Sequence, residues 1–312
     1  MRSFFMSALF CLLLAGPLHG QLLEETSEEP AVSRQEQLDR FQELTVAGAP
    51  FEVSEELKEE YLSLIQDLHY HDLWADYLER ELNRPGNPEA AQVEKWILLA
   101  EARFRTGTIG TQQTLLALQR ALELEPDHDQ ALALLGQLHH REGNYDLAEK
   151  YYTKALSSNP ENALASIGNA ALLARKGEVL KSSQILDDLG VKAQPHDIET
   201  RLMLRQALHD FQRRGGWFAD TVENHSAYSR LLYRAGRLTD AVLAARHSTA
   251  LDPSQYEQWN FIASMQLQIG NLDRAKEAYD SSLEANPDQP AVVDARRQLI
   301  NTLTTSGAGK AP

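Results

Sequence analysis

The side chains of this sequence that could do chemistry are few and scattered. The nearest approach to a metal cluster is His69-Tyr70-His71-Asp72. On an unbroken helix, residues two apart point about 200° from each other, so His69 and His71 could share an ion only across a helix break. A polar turn between helices is the simpler expectation, and no metal or cofactor is assigned. His139 and His140 are adjacent and diverge on a helix. The chain has no HExxH, GxSxG, GxxxxGKS/T or GxGxxG pattern and no EF-hand spacing. The single cysteine, Cys11, lies in an N-terminal apolar run, so removal of that run leaves no thiol for a disulfide, a zinc site or a nucleophile. The expectation is a protein that is not an enzyme. An enzyme reading, as an accessory domain or subunit of a cell-envelope hydrolase, would have only His69, His71 and Asp72 to work with.

What remains is binding chemistry, and charge bounds it. The 312 residues carry 30 Lys+Arg against 45 Asp+Glu, a net charge of -15, which disfavours nucleic acid as a general partner. The imbalance is local. Residues 21–100 hold 19 acidic and 6 basic side chains, whereas residues 197–250 hold 6 acidic and 8 basic. In the second stretch Arg201, Arg205, His209 and Arg213 follow one another at i+4 steps, which aligns them on one helix face. A solvated face explains the stripe; an anion-recognising edge is the sharper alternative. Trp217, after Gly215-Gly216, either plugs a junction or anchors a partner.

The elements that would position these groups repeat. Pro126 and Pro160 are 34 residues apart, as are Pro253 and Pro287, and each closes a similar phrase: ALELEP, ALSSNP, TALDP, SLEANP. Between Asp129 and Asn162 stand Leu132, Leu135, Gly136, Gly143, Tyr145, Ala148, Tyr152, Ala155, Leu156 and Pro160 in order. Gly136, Ala148 and Ala155 suit the close crossing of two antiparallel helices, Gly143 ends the first and Pro160 stops the second.

This grammar resembles the tetratricopeptide repeat, a 34-residue helix-turn-helix unit. The resemblance implies an all-α fold: a right-handed superhelical solenoid closed by a C-terminal capping helix. The frame places three repeats in 95–196 (95–128, 129–162, 163–196) and two in 222–289 (222–255, 256–289), with a degenerate repeat at 56–89 inside a helical region 34–94. Ser182 stands where alanine is usual, and His139 takes an aromatic slot, which predicts a packed core histidine. Residues 197–221 are an inserted helix and Gly-Gly junction, expected to bend the stack into two blocks. Residues 290–304 form the cap, with Val292, Val293, Leu299 and Ile300 inward and Asp294, Arg296 and Arg297 outward. Residues 305–312 are a disordered tail.

In this family the first helix of each unit lines a concave groove. Carrying over only the matching positions gives Arg103, Gln137, His140, Arg141, Arg175, Arg230, Tyr233, Arg234, Asn260, Ser264 and Gln268. Arg binds carboxylates bidentately, so the expected partner is a protein with an acidic or carboxylate-bearing segment. The subfamily that clamps a C-terminal carboxylate uses Lys and Asn where this chain has Ala133 and Gln137, so that activity is not carried over. The competing reading is that the arginines pair with neighbouring carboxylates.

Residues 1–20 carry Arg2, an apolar run from Phe4 to Ala15 and then Gly16-Pro17. The run is shorter than the ~20 residues of a membrane span and reads as a secretory signal peptide, with no stable membrane insertion. Residues 21–33 read as an acidic disordered leader. The whole predicts an exported, periplasmic or secreted, non-enzymatic scaffold that docks a protein segment. Homo-oligomerisation stays open, and a self-assembling structural array is the further alternative.

Overall fold

A computed structural model describes residues 34–50, 54–88, 92–190 and 198–308; the expected signal peptide and acidic leader lie outside the described residues. Within them are fifteen α-helices and no strand. They divide into two compact units, with the division between Gly168 and Asn169.

The first unit holds α1 (Arg34–Val46), α2 (Glu55–Asp67), α3 (His71–Leu82), α4 (Val93–Arg105), α5 (Thr111–Leu124), α6 (Asp129–Arg141) and α7 (Tyr145–Ser158). It also holds the start of α8 (Ala163–Lys176). Its helices pair because each buries a stripe of Leu and Ala at helical spacing. One core runs from Ala75, Leu78 and Leu82 of α3 through Ile97, Ala100 and Leu118 to Leu134 and Leu135 of α6. A smaller core joins Leu44, Tyr61 and Ile65, with Trp74 packed against both.

The turn from α6 to α7 shows what the repeat grammar specifies. Gly143 has φ 80°, its N–H donates to the His140 carbonyl, and the Asn144 N–H donates to the His139 carbonyl. These bonds close the C-terminus of α6 with a left-handed residue. The turn from α2 to α3 is built alike. His69 takes the left-handed position at φ 60°, its N–H donates to Gln66, and the Tyr70 N–H donates to Ile65. The His69–Asp72 run is thus a repeat-type turn, with a histidine, one of the more tolerant non-glycine residues, where the other pairs use glycine.

Small residues at the crossings do what the spacing predicts. The Tyr152 ring of α7, 1% exposed, lies against two glycines: a Cβ on Gly136 would fall 2.5 Å from Tyr152 Cδ1, and one on Gly168 would overlap the same ring. The frame also mis-assigns one pair. His140, not His139, is the core histidine: it is fully buried with its ring 5.3 Å from Tyr145, whereas the half-buried His139 stacks on Tyr151. Adjacent helical residues sit about 100° apart, and the core-facing one is the second of the two.

The second unit continues with the rest of α8, then α9 (Val179–Asp188), α10 (Ile198–Arg213), α11 (Val222–Arg234), α12 (Leu238–Leu251), α13 (Tyr256–Ile269), α14 (Leu272–Ala285) and α15 (Pro290–Ala308). Ser182 fits the alanine position because its hydroxyl donates to the Ala170 carbonyl at 2.7 Å. Ser229 does the same to Ala241 at 3.0 Å. Each satisfies a buried hydroxyl in the space a methyl group would fill.

The insertion does not break this stack. α9 packs directly on α11, as consecutive pairs do elsewhere. α10 instead lies against the turns of its neighbours: Phe211 meets Gly177 and Gly216, and Arg201 covers Gly236. Within the second unit the inserted helix is thus set to one side of the α9–α11 contact. The cap also differs in detail. α15 runs past Thr304 to Ala308, buries Val292, Ala295 and Leu299, and leaves Val293 outward, while Arg296 pairs with Asp280 of α14. The last four residues of the expected tail lie outside the described residues.

Candidate functional site

The eleven predicted groove residues all lie on first helices, but their side chains are mostly committed to the fold. In the first unit, Arg103 of α4 pairs with Asp76, at 2.7 Å, and with Glu79, both on the preceding α3. Arg141 of α6 donates to the Phe104 carbonyl at 2.8 Å and lays its guanidinium over the Phe104 ring, 3.8 Å from the centroid. Gln137 and His140 are buried, so neither lines an open groove. That corrects the expectation for both. The His140 ring packs against the rings of Tyr145 and Tyr152.

In the second unit Arg175 is within 3.4 Å of Asp210 on α10. Arg230 and Arg234 of α11 converge on one carboxylate, Asp187 of α9, at 3.3 and 2.7 Å. Arg230 also donates to the Ser183 hydroxyl at 3.0 Å. Beside them Tyr233 accepts a hydrogen bond from Gln268 of α13 at 3.1 Å and meets the Phe261 ring edge-on. Ser264 turns its hydroxyl back to the Phe261 carbonyl, and Asn260 donates to Gln289 at 2.7 Å. The structure therefore brings Arg230 and Arg234 together on Asp187 of α9, and Tyr233 of the same helix together with Gln268 of α13. Each of these arginines joins its first helix to a different helix of the same unit.

On α10, Arg205, His209 and Arg213 are exposed and Arg201 is half-buried, which makes the stripe a solvated face with one end tucked in. Trp217 is 81% exposed and plugs nothing with its side chain. At the α2–α3 turn the His69 and His71 rings stand 5.8 Å apart and tilted, and burial, then the nearby Arg105 charge, pushes His71 down. No third ligand joins them among the described residues.

Sequence reading passed over a different cluster. Asp220, in the extended segment between α10 and α11, accepts from His225 Nε2 at 2.7 Å and from His247 Nε2 at 3.0 Å. His225 is in the first turn of α11 and His247 near the end of α12, and their ring centroids are 4.2 Å apart. The His225 hydrogen bond, then that of His247, holds the Asp220 carboxyl below its usual range. The three are separated by 5 and 22 residues in sequence, so no short motif marks them; only the antiparallel pairing of α11 and α12 joins them.

Comparison with known proteins bears on the fold. No curated protein matches the sequence. Similar solved structures include YrrB, described as a TPR protein with an unusual peptide-binding site, at 17% identity and TM-score 0.30, covering 72% of this chain and 99% of that one. A tetratricopeptide repeat protein from Parabacteroides merdae is 13% identical, with TM-score 0.36, over 84% of this chain and 99% of that one. The TPR domain of P58(IPK) is 14% identical, with TM-score 0.32, over 87% and 78%. Likenesses this distant carry no argument about partners. The tetratricopeptide repeat family itself matches residues 115–163, 141–187 and 227–290. Those segments contain α6–α7, α12–α14 and most of α11, the pairs with the clearest 34-residue grammar, within an all-α repeat fold.

Proposed function

We propose that the chain is a non-enzymatic scaffold that docks a protein segment on the first-helix face of α11 and α13. Tetratricopeptide repeat proteins are in general protein-interaction scaffolds, and the repeats here supply the framework. Fold alone does not select a partner. The observation that carries the finer reading is the sharing of Asp187: two guanidiniums meet one carboxylate, which leaves one net positive charge on the helix that also carries the Tyr233–Gln268 pair. Such a face on an acidic protein selects an acidic or carboxylate-bearing segment and not polyanions at large.

The test uses a partner captured with the wild-type chain. Replacing Arg230 and Arg234 with Ala lowers its affinity at least about tenfold, or about 1.4 kcal/mol, with helicity unchanged. Asp187→Ala separates charge from stapling. It breaks both ion pairs to α9 but leaves the two arginines and the Arg230–Ser183 bond, so the partner binds as well or better. Weakening by both variants assigns the effect to the α9–α11 contact, and unaltered binding in the arginine variant removes the site from this face.

Export is the second part of the proposal and rests on residues 1–20 alone. Protein isolated from its native host should lack about 20 N-terminal residues by intact mass. Full-length protein in the cytoplasm would overturn it.

A further inference from the structure

We propose that Asp220, His225 and His247 bind a divalent transition-metal ion of the zinc class, clasping the segment after α10 to the α11–α12 pair. Two imidazole Nε2 atoms and a carboxylate oxygen, one from each residue, all lie within 4.8 Å of one another, and the described residues contain no other such group. Nitrogen, nitrogen and oxygen donors suit zinc and its late first-row neighbours and not magnesium or calcium, which take oxygen alone.

The geometry is close to what an ion requires. With metal–ligand bonds of about 2.0–2.2 Å, tetrahedral ligands stand roughly 3.3 Å apart. Asp220 Oδ1 is 2.7 and 3.0 Å from the two Nε2 atoms, so these two contacts need to open by only a few tenths of an ångström. The two ligands that must move are free to do so: the Asp220 side chain is 68% exposed and that of His247 53%. His225, at 16%, is the fixed point. The Phe218 ring meets its imidazole edge-on at 5.2 Å.

The surroundings fix the backbone that carries the ligands. The Thr221 N–H donates to the Ala219 carbonyl at 2.9 Å, and the Asn224 side chain donates to the same carbonyl at 3.0 Å. Together they hold the backbone on both sides of Asp220. Ser248, next to His247, donates to the Val222 carbonyl at 3.1 Å and pairs with the Ser226 hydroxyl, next to His225. Three protein ligands leave at least one coordination position for water or for a donor from a partner. The exposed Trp217 lies three residues before Asp220, so an ion here would also fix the stretch of chain that presents it.

The test is zinc titration of the untagged full-length chain after chelator treatment, in competition with a chromogenic chelator. The expected result is one equivalent bound, with affinity at least tenfold lower in His247→Ala and in Asp220→Asn. Both substitutions fall on exposed side chains, so the fold should survive, and circular dichroism checks it. His71→Ala, in the other histidine turn, should bind as wild type. Hydrogen exchange gives a second readout: zinc should slow exchange over residues 217–225 in the wild type and not in His247→Ala. Absence of stoichiometric binding, or equal binding by wild type and both cluster variants, would reduce the cluster to a hydrogen-bonded His–Asp–His group and overturn the proposal.

Discussion

Alanine in place of glycine inside a helix normally stabilises, by about 1 kcal/mol; at Gly136 the opposite sign is expected. The new Cβ would stand 2.5, 2.6 and 3.1 Å from Tyr152 Cδ1, Cε1 and Cγ, against an ordinary carbon–carbon separation of about 3.5–4.0 Å. The ring must retreat by roughly 1 Å, and a second helix confines it, since Gly168 is packed against it closely enough that a Cβ there would also overlap. Because the ring is confined, the penalty belongs near the upper end of the ~1–3 kcal/mol range for overpacking. Subtracting the ~1 kcal/mol helix-propensity gain leaves a net destabilisation of about 2 kcal/mol. Because the chain has two units, urea denaturation by circular dichroism should be read together with hydrogen exchange in α6 and α7, which reports on the affected unit alone. The decisive comparison is the Tyr152→Leu background. There the obstacle is gone, and Gly136→Ala should become neutral or stabilising, a coupling of about 2–3 kcal/mol between the two sites. Additive effects, or a stabilised Gly136→Ala single variant, would refute the packing argument.

Two further predictions concern buried polar groups. The Tyr279 hydroxyl is buried without a hydrogen-bond partner, and burial pushes its pKa up, so Tyr279→Phe should leave thermal stability unchanged or raise it by about 1 kcal/mol, whereas a drop would mean the hydroxyl has a partner. Burial pushes the Asp129 carboxyl up, but the side-chain amides of Asn162 and Asn159 and the Gln130 N–H outweigh it and hold it below its usual range. A depressed folded-state pKa adds stability that is fully present above the unfolded value of about 3.9 and is lost as pH falls through the lower folded value. Stability measured from pH 6 down to pH 2 should therefore fall less steeply in Asp129→Asn than in wild type, and identical slopes would remove Asp129 from the acid response.

Much of the framework was legible because its determinants are local. Gly143, Gly177, Gly236 and Gly270 recur at the ends of first helices, and each takes a left-handed backbone there. The α2–α3 pair was harder to read because His69 stands in that position, so the residue that looked like chemistry is a turn residue. Exchange of roles between His139 and His140 shows the limit of a frame that fixes helix phase only to about one residue. The arginines show a different limit. Spacing placed Arg230 and Arg234 on the correct helix face, but their partner Asp187 lies more than 40 residues earlier, beyond an insertion that spacing alone suggested would separate the two stretches. The Asp220–His225–His247 cluster failed to register for the same reason: its proximity is a product of helix pairing and not of sequence interval.

The lateral placement of α10 has a consequence for how such chains vary. What α11 needs from the preceding unit is the side of α9, with Ser183 and Asp187 on it, and not a short peptide link to the end of α9. Covalent order and stacking order are thus separable at this point. The connection can lengthen, shorten or acquire a new element while the successive units keep their register, much as a bound book keeps its page order when a leaflet is tucked between two leaves. In this chain the leaflet brings an exposed tryptophan and one leg of the His–Asp cluster, whose other two legs stand on the repeat helices α11 and α12.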